Sequence, residues 1–143
     1  MNNFSNTHLS KYGFATTARR KTTTFQLVDE KSLKALVKDL NTADQEALVK
    51  QSFSGKSGQV AWLSGDNLWI GWNGKHSLQT LGSLPFKLPG GFYKCESELQ
   101  EMDLIGWGLG SYQFDSYKKQ DRSPSILVAS KSKKLQRALE AID

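Results

Sequence analysis

The sequence predicts an α/β domain, a layered mixed sheet flanked by helices. Short apolar runs typical of strands alternate along the chain with segments whose apolar residues recur every three or four positions, as in amphipathic helices. The 143 residues, 38% of them hydrophobic, suffice for one domain with a core. The predicted order is β-α-α-β-β-α-β-α-β-α, and strands that alternate with helices favour a layered sheet. No apolar run is long enough to cross a membrane.

The positive charge of the chain is concentrated at its beginning. Residues Met1–Lys21 carry four basic side chains and no acidic one, which predicts a flexible basic tail ahead of a single domain over residues 22–143. The basic residues after this tail are nearly balanced by the 14 acidic ones, although the whole chain has a net charge of +5. Nucleic-acid binding is therefore not expected, because such proteins carry a basic stripe on the folded part. A nucleic-acid interaction through the tail alone is kept as a separate hypothesis, which requires binding to fall steeply with salt and to be lost when Met1–Lys21 is deleted.

The first predicted elements are a strand and two helices. Thr22–Val28 alternates polar and apolar residues, as strands do. Lys31–Leu40 has its apolar residues at helical spacing. Thr42 and Gln45 form the sequence pattern of a capping box, which predicts a second helix over Ala43–Gln51.

A glycine-rich segment follows the second helix. Gly55-Lys56-Ser57 resembles the end of a phosphate-binding Walker A loop, but Lys50 stands where that motif needs its first glycine. The motif also needs a preceding strand, and here a helix precedes it. Phe53–Gly58 is therefore predicted to be a turn between a helix and a strand.

A β-hairpin is predicted next. Gln59–Leu63 and Leu68–Trp72 have strand character, and Gly65–Asn67 between them is a turn signal. Three tryptophans lie in this hairpin: Trp62, Trp69 and Trp72. Filling of the core or contact with another subunit is the favoured role for them, and an aromatic platform for a ligand is the alternative.

The middle of the chain contains two candidate catalytic or metal-binding residues, His76 and Cys95. Ser77–Leu84 is predicted to be a short helix ended by Pro85, and Gly91–Glu96 a strand. His76 has no metal-binding partner at ligand spacing. Cys95 is the single cysteine, which excludes an internal disulfide and fits a reducing cytoplasm. It is expected to be a packed bystander, not a catalytic thiol.

The segment Leu99–Lys119 allows two interpretations. In the favoured one it is a single helix opened by a Ser97–Gln100 capping box, whose glycines pack closely against the sheet. In the other, a strand leads into a turn at Gly106–Gly110 that could hold a phosphate, although the glycine spacing is not that of a dinucleotide fingerprint.

The end of the chain supplies the last strand and the last helix. Lys118–Arg122 is predicted to be a charged turn, and Ser125–Ala129 the central strand because it is the most hydrophobic. Ser132–Asp143 has helical periodicity.

Four motifs together resemble a known family. They are Phe53–Gln59, Leu81–Pro85, Leu88–Tyr93 and, above all, Trp107–Lys118. In this order they are similar to the N-terminal domain of the leucyl (cytosol) aminopeptidase family, in its branch with a short N-terminal domain. The motifs are packing and turn signatures and carry no chemistry themselves.

The resemblance implies a cytoplasmic enzyme that removes N-terminal residues from peptides and assembles as a homohexamer. Its two divalent metal ions, zinc or manganese, and its carboxylate and lysine ligands would lie in a C-terminal domain that this sequence does not contain. No catalytic, cofactor-binding or metal-binding residue is therefore predicted here. The chain alone is expected to be inactive, a non-catalytic domain for assembly or active-site access whose partner is its own C-terminal catalytic domain.

The resemblance also leaves a second function open. The N-terminal domain of this family is similar to the macro-domain fold, so a macro-domain-like architecture is expected. A free-standing module that binds a nucleotide or an ADP-ribose-like ligand is the alternative hypothesis, and it requires Gly106–Gly110 to lie at a strand-to-helix turn.

Overall fold

The computed structural model describes residues 6–17, 21–112 and 124–142, and within them it confirms the α/β class. The strands are β1 (Phe14–Ala15), β2 (Thr22–Val28), β3 (Val60–Leu63), β4 (Asn67–Gly71), β5 (Phe92–Cys95) and β6 (Ile126–Val128). The helices are α1 (Asn6–Lys11), α2 (Glu30–Lys38), α3 (Thr42–Lys50), α4 (Leu78–Gly82), α5 (Leu84–Lys87), α6 (Glu101–Ser111) and α7 (Lys133–Ile142). No helix in these ranges is long and apolar enough to span a membrane.

The sheet is mixed, with its strands in the order β1-β6-β5-β2-β4-β3. All neighbours are parallel except the hairpin β3–β4, which is antiparallel as predicted. The prediction that Ser125–Ala129 is central was wrong, since β6 lies between β5 and the two-residue β1, and the middle pair is β5–β2. Hydrophobicity could not fix this order, because the crossover connections decide which strands become neighbours.

Helices pack on the two faces of the sheet around two cores. The larger core includes Phe25 of β2 and Trp107 of α6, together with buried residues of α4, α5 and α7. The smaller core, on the opposite face, contains Val28 and Trp69 and is covered by α2 and α3. The four apolar residues predicted to form the inner face of α2 all pack here: Leu33, Leu36, Val37 and Leu40.

Part of the predicted tail is folded into the domain. Leu9 of α1 and Phe14 of β1 are buried in the larger core, and Phe14 aligns with Leu127 of β6. The indole Nε1 of Trp107 donates a hydrogen bond to the carbonyl oxygen of Gly13 at 2.8 Å. The predicted boundary between Lys21 and Thr22 therefore does not separate a tail from the domain. Apolar residues are too sparse in this region to produce a periodic signal.

Two helices begin with a different cap from the predicted one. Asn41, not Thr42, caps α3, because its Oδ1 accepts the backbone N–H of Asp44 at 2.8 Å. The side chain of Gln45 instead donates to carbonyl oxygens at the end of the preceding helix. Gln100, not Ser97, is the N-cap of α6. The Asn41 side chain thereby pairs one of the N–H groups that the first turn of α3 leaves without an intrahelical partner.

The predicted helix Ser77–Leu84 is divided in two. Its first part, α4, is capped by Ser77. Pro85 does not end the helix but occupies the first turn of α5, where proline fits because its nitrogen has no hydrogen to leave unpaired.

The outer edge of the sheet at β3 is blocked by side chains of the α3 region. The amide of Gln51 pairs with both the N–H and the C=O of Trp62, at 2.7 and 2.8 Å. The carboxylate of Asp44 accepts hydrogen bonds from the N–H and the hydroxyl of Ser64, both at 2.9 Å. Pairing the backbone groups of an edge strand in this way disfavours addition of a foreign strand.

The favoured interpretation of Leu99–Lys119 holds over its first part. Helix α6 is continuous from Glu101 to Ser111 and contains all three glycines. Tyr112 is extended, so the helix is shorter than predicted. The expected continuation to Gln113 and Tyr117, like the predicted charged turn Lys118–Arg122, lies outside the described residues.

The glycines of α6 contact neighbouring helices directly. A Cβ on Gly106 would overlap the carbonyl oxygen of Leu78, and one on Gly110 would overlap that of Gly82. Gly108 faces the other way, against Ile142 of α7. The glycines therefore allow α6 to lie against the backbone of α4, not against the sheet as expected.

Substituting Gly106→Ala is expected to destabilise the domain, although alanine favours helix formation by about 1 kcal/mol over glycine. The methyl group would meet the backbone of Leu78, which has little freedom to move. We expect urea denaturation to show a loss of about 1–3 kcal/mol, the usual cost of overpacking.

Gly82→Ala in α4 is the matched control. A Cβ there would lie 3.7 Å from the carbonyl oxygen of Gly106, an ordinary contact. Equal stability losses for the two variants would contradict the proposed close packing.

Candidate functional site

The clearest chemical pair in the described residues is His76 with Asp103. His76 lies in the loop between β4 and α4, and Asp103 in the first turn of α6. The imidazole Nδ1 and the carboxylate Oδ2 are 2.5 Å apart, although the residues are 27 positions apart in the sequence. The Asp103 side chain is fully buried, whereas that of His76 is 33% exposed. The ring of Trp72 meets His76 edge-on at a centroid distance of 5.0 Å.

The buried carboxylate has a structural role as well. Its Oδ2 atom also accepts the backbone N–H of Gln100 at 2.8 Å, which completes a capping box at the start of α6. Its Oδ1 atom has no hydrogen-bond partner among the described residues. Asp103 thus joins the N-terminus of α6 to the β4–α4 loop. Sequence analysis missed this pair; the acidic residue three positions after Gln100 was the available signal.

Cys95 does not complete this pair as a nucleophile. The pKa of its thiol is raised to about 12, chiefly by burial. Hydrogen bonding with Ser97 opposes this rise, and the nearby charge of Asp103 contributes to it. A reactive cysteine needs the opposite environment, one that stabilises the thiolate. The surroundings of Cys95 are those of a packed, protonated thiol.

The described residues do not fit a metal centre. No group of three or more histidine, cysteine or acidic side chains converges in ranges 6–17, 21–112 and 124–142. His76 and Asp103 are only two, and the carboxylate is already hydrogen-bonded to the backbone. A two-metal site of the kind used for hydrolysis cannot be assembled from these side chains.

The Walker-like segment lines a cleft of about 530 Å³ beside the ends of β2 and β4. The side-chain oxygen of Gln59 accepts the N–H groups of Ser54 and Lys56, at 2.9 and 3.1 Å. These amides are therefore not available to cradle a phosphate, as a Walker A loop requires. The segment connects α3 to β3, in agreement with the predicted turn.

The start of α2, which borders the same cleft, is occupied by its own cap. Asp29 accepts the N–H of Ser32 at 2.7 Å, and hydrogen bonding from Ser32 lowers the pKa of the Asp29 carboxyl. A negative charge already stabilises this helix N-terminus.

The second interpretation of Gly106–Gly110, as a phosphate-binding turn, was wrong. These glycines lie inside a continuous helix, so their N–H groups do not converge on a ligand as at a strand-to-helix turn. The nucleotide-binding alternative loses the loop on which it depended.

The tryptophans of the hairpin do not form one platform. Trp69 is buried in the smaller core, with its ring 6.2 Å from that of Phe53. Trp62 aligns with Leu68 on the opposite face, and its ring lies 6.5 Å from that of Tyr93. Trp72 packs against the larger core.

Comparison with known proteins gives two consistent matches. Residues 23–129 match the family model described as the M17 aminopeptidase N-terminal domain. The fold is similar to that of a cytosol aminopeptidase from Coxiella burnetii, with a TM-score of 0.75 at 19% sequence identity. The similarity covers 90% of this chain but 30% of that one. No curated protein sequence matches the chain.

Removing the carboxylate of Asp103 is expected to destabilise the fold without any need for a ligand. Asp103→Ala leaves the N–H of Gln100 and the ring of His76 without their shared partner, which costs about 1–3 kcal/mol in unfolding free energy. Asp103→Asn should lose less, since an amide oxygen can still accept the Gln100 N–H. Urea denaturation measures both.

Glu98→Ala is the control for these variants. Glu98 is 81% exposed and pairs with Lys134 at 3.3 Å. An exposed ion pair of this kind contributes at most about 1 kcal/mol. If Asp103→Ala cost no more than Glu98→Ala, the carboxylate would not be a structural connection.

The thiol of Cys95 is expected to react slowly in the native protein. A pKa of about 12 instead of 9.0 leaves about a thousandfold less thiolate at neutral pH. The rate of alkylation by iodoacetamide, followed by intact mass, should increase around pH 9 for the chain unfolded in guanidinium. For the folded chain it should increase only at higher pH. Rapid native labelling at pH 8 would contradict the assignment of a packed thiol.

Proposed function

The chain belongs to the M17 aminopeptidase N-terminal domain family, and we propose that it is the non-catalytic N-terminal domain of a leucyl-aminopeptidase-type metallopeptidase. The observation that carries this proposal is the family match over residues 23–129. The parent enzyme would remove N-terminal residues from peptides. The solved structure of similar fold, itself a cytosol aminopeptidase, supports a cytoplasmic location for it.

The catalytic groups of the parent would lie outside this chain. Two divalent metal ions, zinc or manganese, would activate water and stabilise the charge that develops on the substrate. The described residues supply no ligand set for them. His76 and Asp103 would contribute to the domain by holding the β4–α4 loop against α6, and they would take no part in peptide hydrolysis.

The domain would serve assembly of a homohexamer or control access to the active site. Its construction supports a role in which a rigid surface contacts another domain. Helices α4, α6 and α7 are fixed to one another through glycine contacts, and the edge strand β3 is closed by Gln51 and Asp44. Contacts through helical surfaces are therefore favoured over pairing of strands.

We expect the chain alone to hydrolyse no leucine anilide when zinc or manganese is added. The native gene product should be several times larger than the 16.0 kDa of this chain and should hydrolyse the same substrate. The measurements are the intact mass of the protein isolated from its source cells and the release of the aniline product by both proteins.

Two outcomes would overturn the proposal. Metal-dependent hydrolysis by the isolated chain would show that it contains an active site. A native mass near 16.0 kDa would show that no catalytic domain is attached to it. In the hydrolysis assay, the active larger protein treated with a metal chelator is the control for hydrolysis that does not depend on metal.

A further inference from the structure

Helix α6 is apolar on nearly its whole circumference. Its polar residues are Glu101, Asp103 and Ser111, and the last two are buried. The side of the helix that faces away from the sheet therefore carries apolar side chains. A helix of this composition is normally covered on all sides.

The outward side presents a continuous apolar stripe, which consists of Met102, Ile105 and Leu109. These residues follow one another at i, i+3 and i+7, so they share one face of the helix. Met102 is 45% exposed, whereas Ile105 and Leu109 are half-buried, and Ile105 also packs against the larger core. Leu78 of α4, 39% exposed, lies beside the stripe because its backbone touches Gly106.

An isolated exposed apolar residue on α3 provides a contrast with the stripe. Val49 of α3 is 79% exposed, but its neighbours on the helix surface are the polar or charged Gln45, Glu46 and Lys50. Isolated residues of this kind are normal on protein surfaces, whereas contiguous apolar patches mark contact sites. The stripe on α6 is of the second kind.

We infer that the stripe is the surface on which the catalytic domain of the same polypeptide docks. This inference rests on the proposed function. The fold match covers 30% of the cytosol aminopeptidase chain, so a large further part of such an enzyme is available to cover the stripe. Helix α7 places its last described residue, Ile142, against Gly108 of α6. A polypeptide that continues from α7 therefore starts beside the stripe.

The size of the stripe favours a tethered partner over a second copy of the chain. The helix rises about 10 Å from Met102 to Leu109, so the stripe covers far less than the roughly 800 Å² per partner of a stable interface between separate proteins. A covalently connected domain needs less contact area, because its effective concentration is in the millimolar range. The catalytic domain meets this condition.

Oxidation of Met102 tests the inference. Brief exposure to hydroxyl radicals, followed by peptide mass spectrometry, measures the accessibility of its sulfur atom. We expect several-fold slower oxidation of Met102 in the longer native protein than in the isolated chain. Trp62, 39% exposed on the edge strand β3, is the internal reference and should react equally in both.

A photo-crosslinking amino acid at position 102 identifies the occupant. Protein labelled with light nitrogen is mixed with protein labelled with heavy nitrogen, and the two are allowed to exchange subunits before irradiation. Crosslinks to the catalytic domain that carry a single label confirm the tethered partner. Mixed-label crosslinks would assign the stripe to a neighbouring subunit and overturn the inference, as would protection of Met102 in the isolated chain that grows with its concentration.

A charged substitution provides a second readout. Met102→Glu should leave the melting temperature of the isolated chain unchanged, since the site is exposed and an acid suits a first helical turn. In the longer protein it should lower that temperature, and Val49→Glu should not. Equal oxidation of Met102 in both proteins, together with no effect of Met102→Glu, would overturn the inference. If the longer protein exists and is an active peptidase, the proposed function would still stand.

Discussion

The close contact between α6 and α4 is the constraint on which most of the domain depends. Gly106 and Gly110 allow backbone to meet backbone, where any side chain would overlap a carbonyl oxygen of α4. Three glycines weaken an isolated helix by up to about 1 kcal/mol each, so the helix forms because tertiary packing compensates for this cost. The position of α6 in turn places Trp107 in the core and Asp103 beside His76.

The same contact divides α6 into surfaces with separate roles. The inner side carries Trp107, whose indole holds the N-terminal segment through Gly13. The start of the helix carries the Asp103 carboxylate, which holds the His76 loop and caps the helix. The outer side is left apolar.

Local patterns in the sequence predicted the strands and helices that bury one face against a single neighbouring layer. The strand Thr22–Val28 and the inner face of α2 follow alternation and helical periodicity, which arise from near neighbours in the chain. The capping residues were missed because several side chains near each helix start could satisfy the same N–H groups.

The sequence by itself determined the α/β class, the mixed sheet with its hairpin, and the family resemblance, because these rest on local periodicity and on motif order. Tertiary structure alone decided the strand order, the folding of residues 6–17 onto the domain, and the pairing of His76 with Asp103. Trp107 and Gly13 are separated by 94 positions, and their hydrogen bond exists only once the sheet has formed. Contacts at such separations depend on the packing of several elements at once, which no short sequence window records.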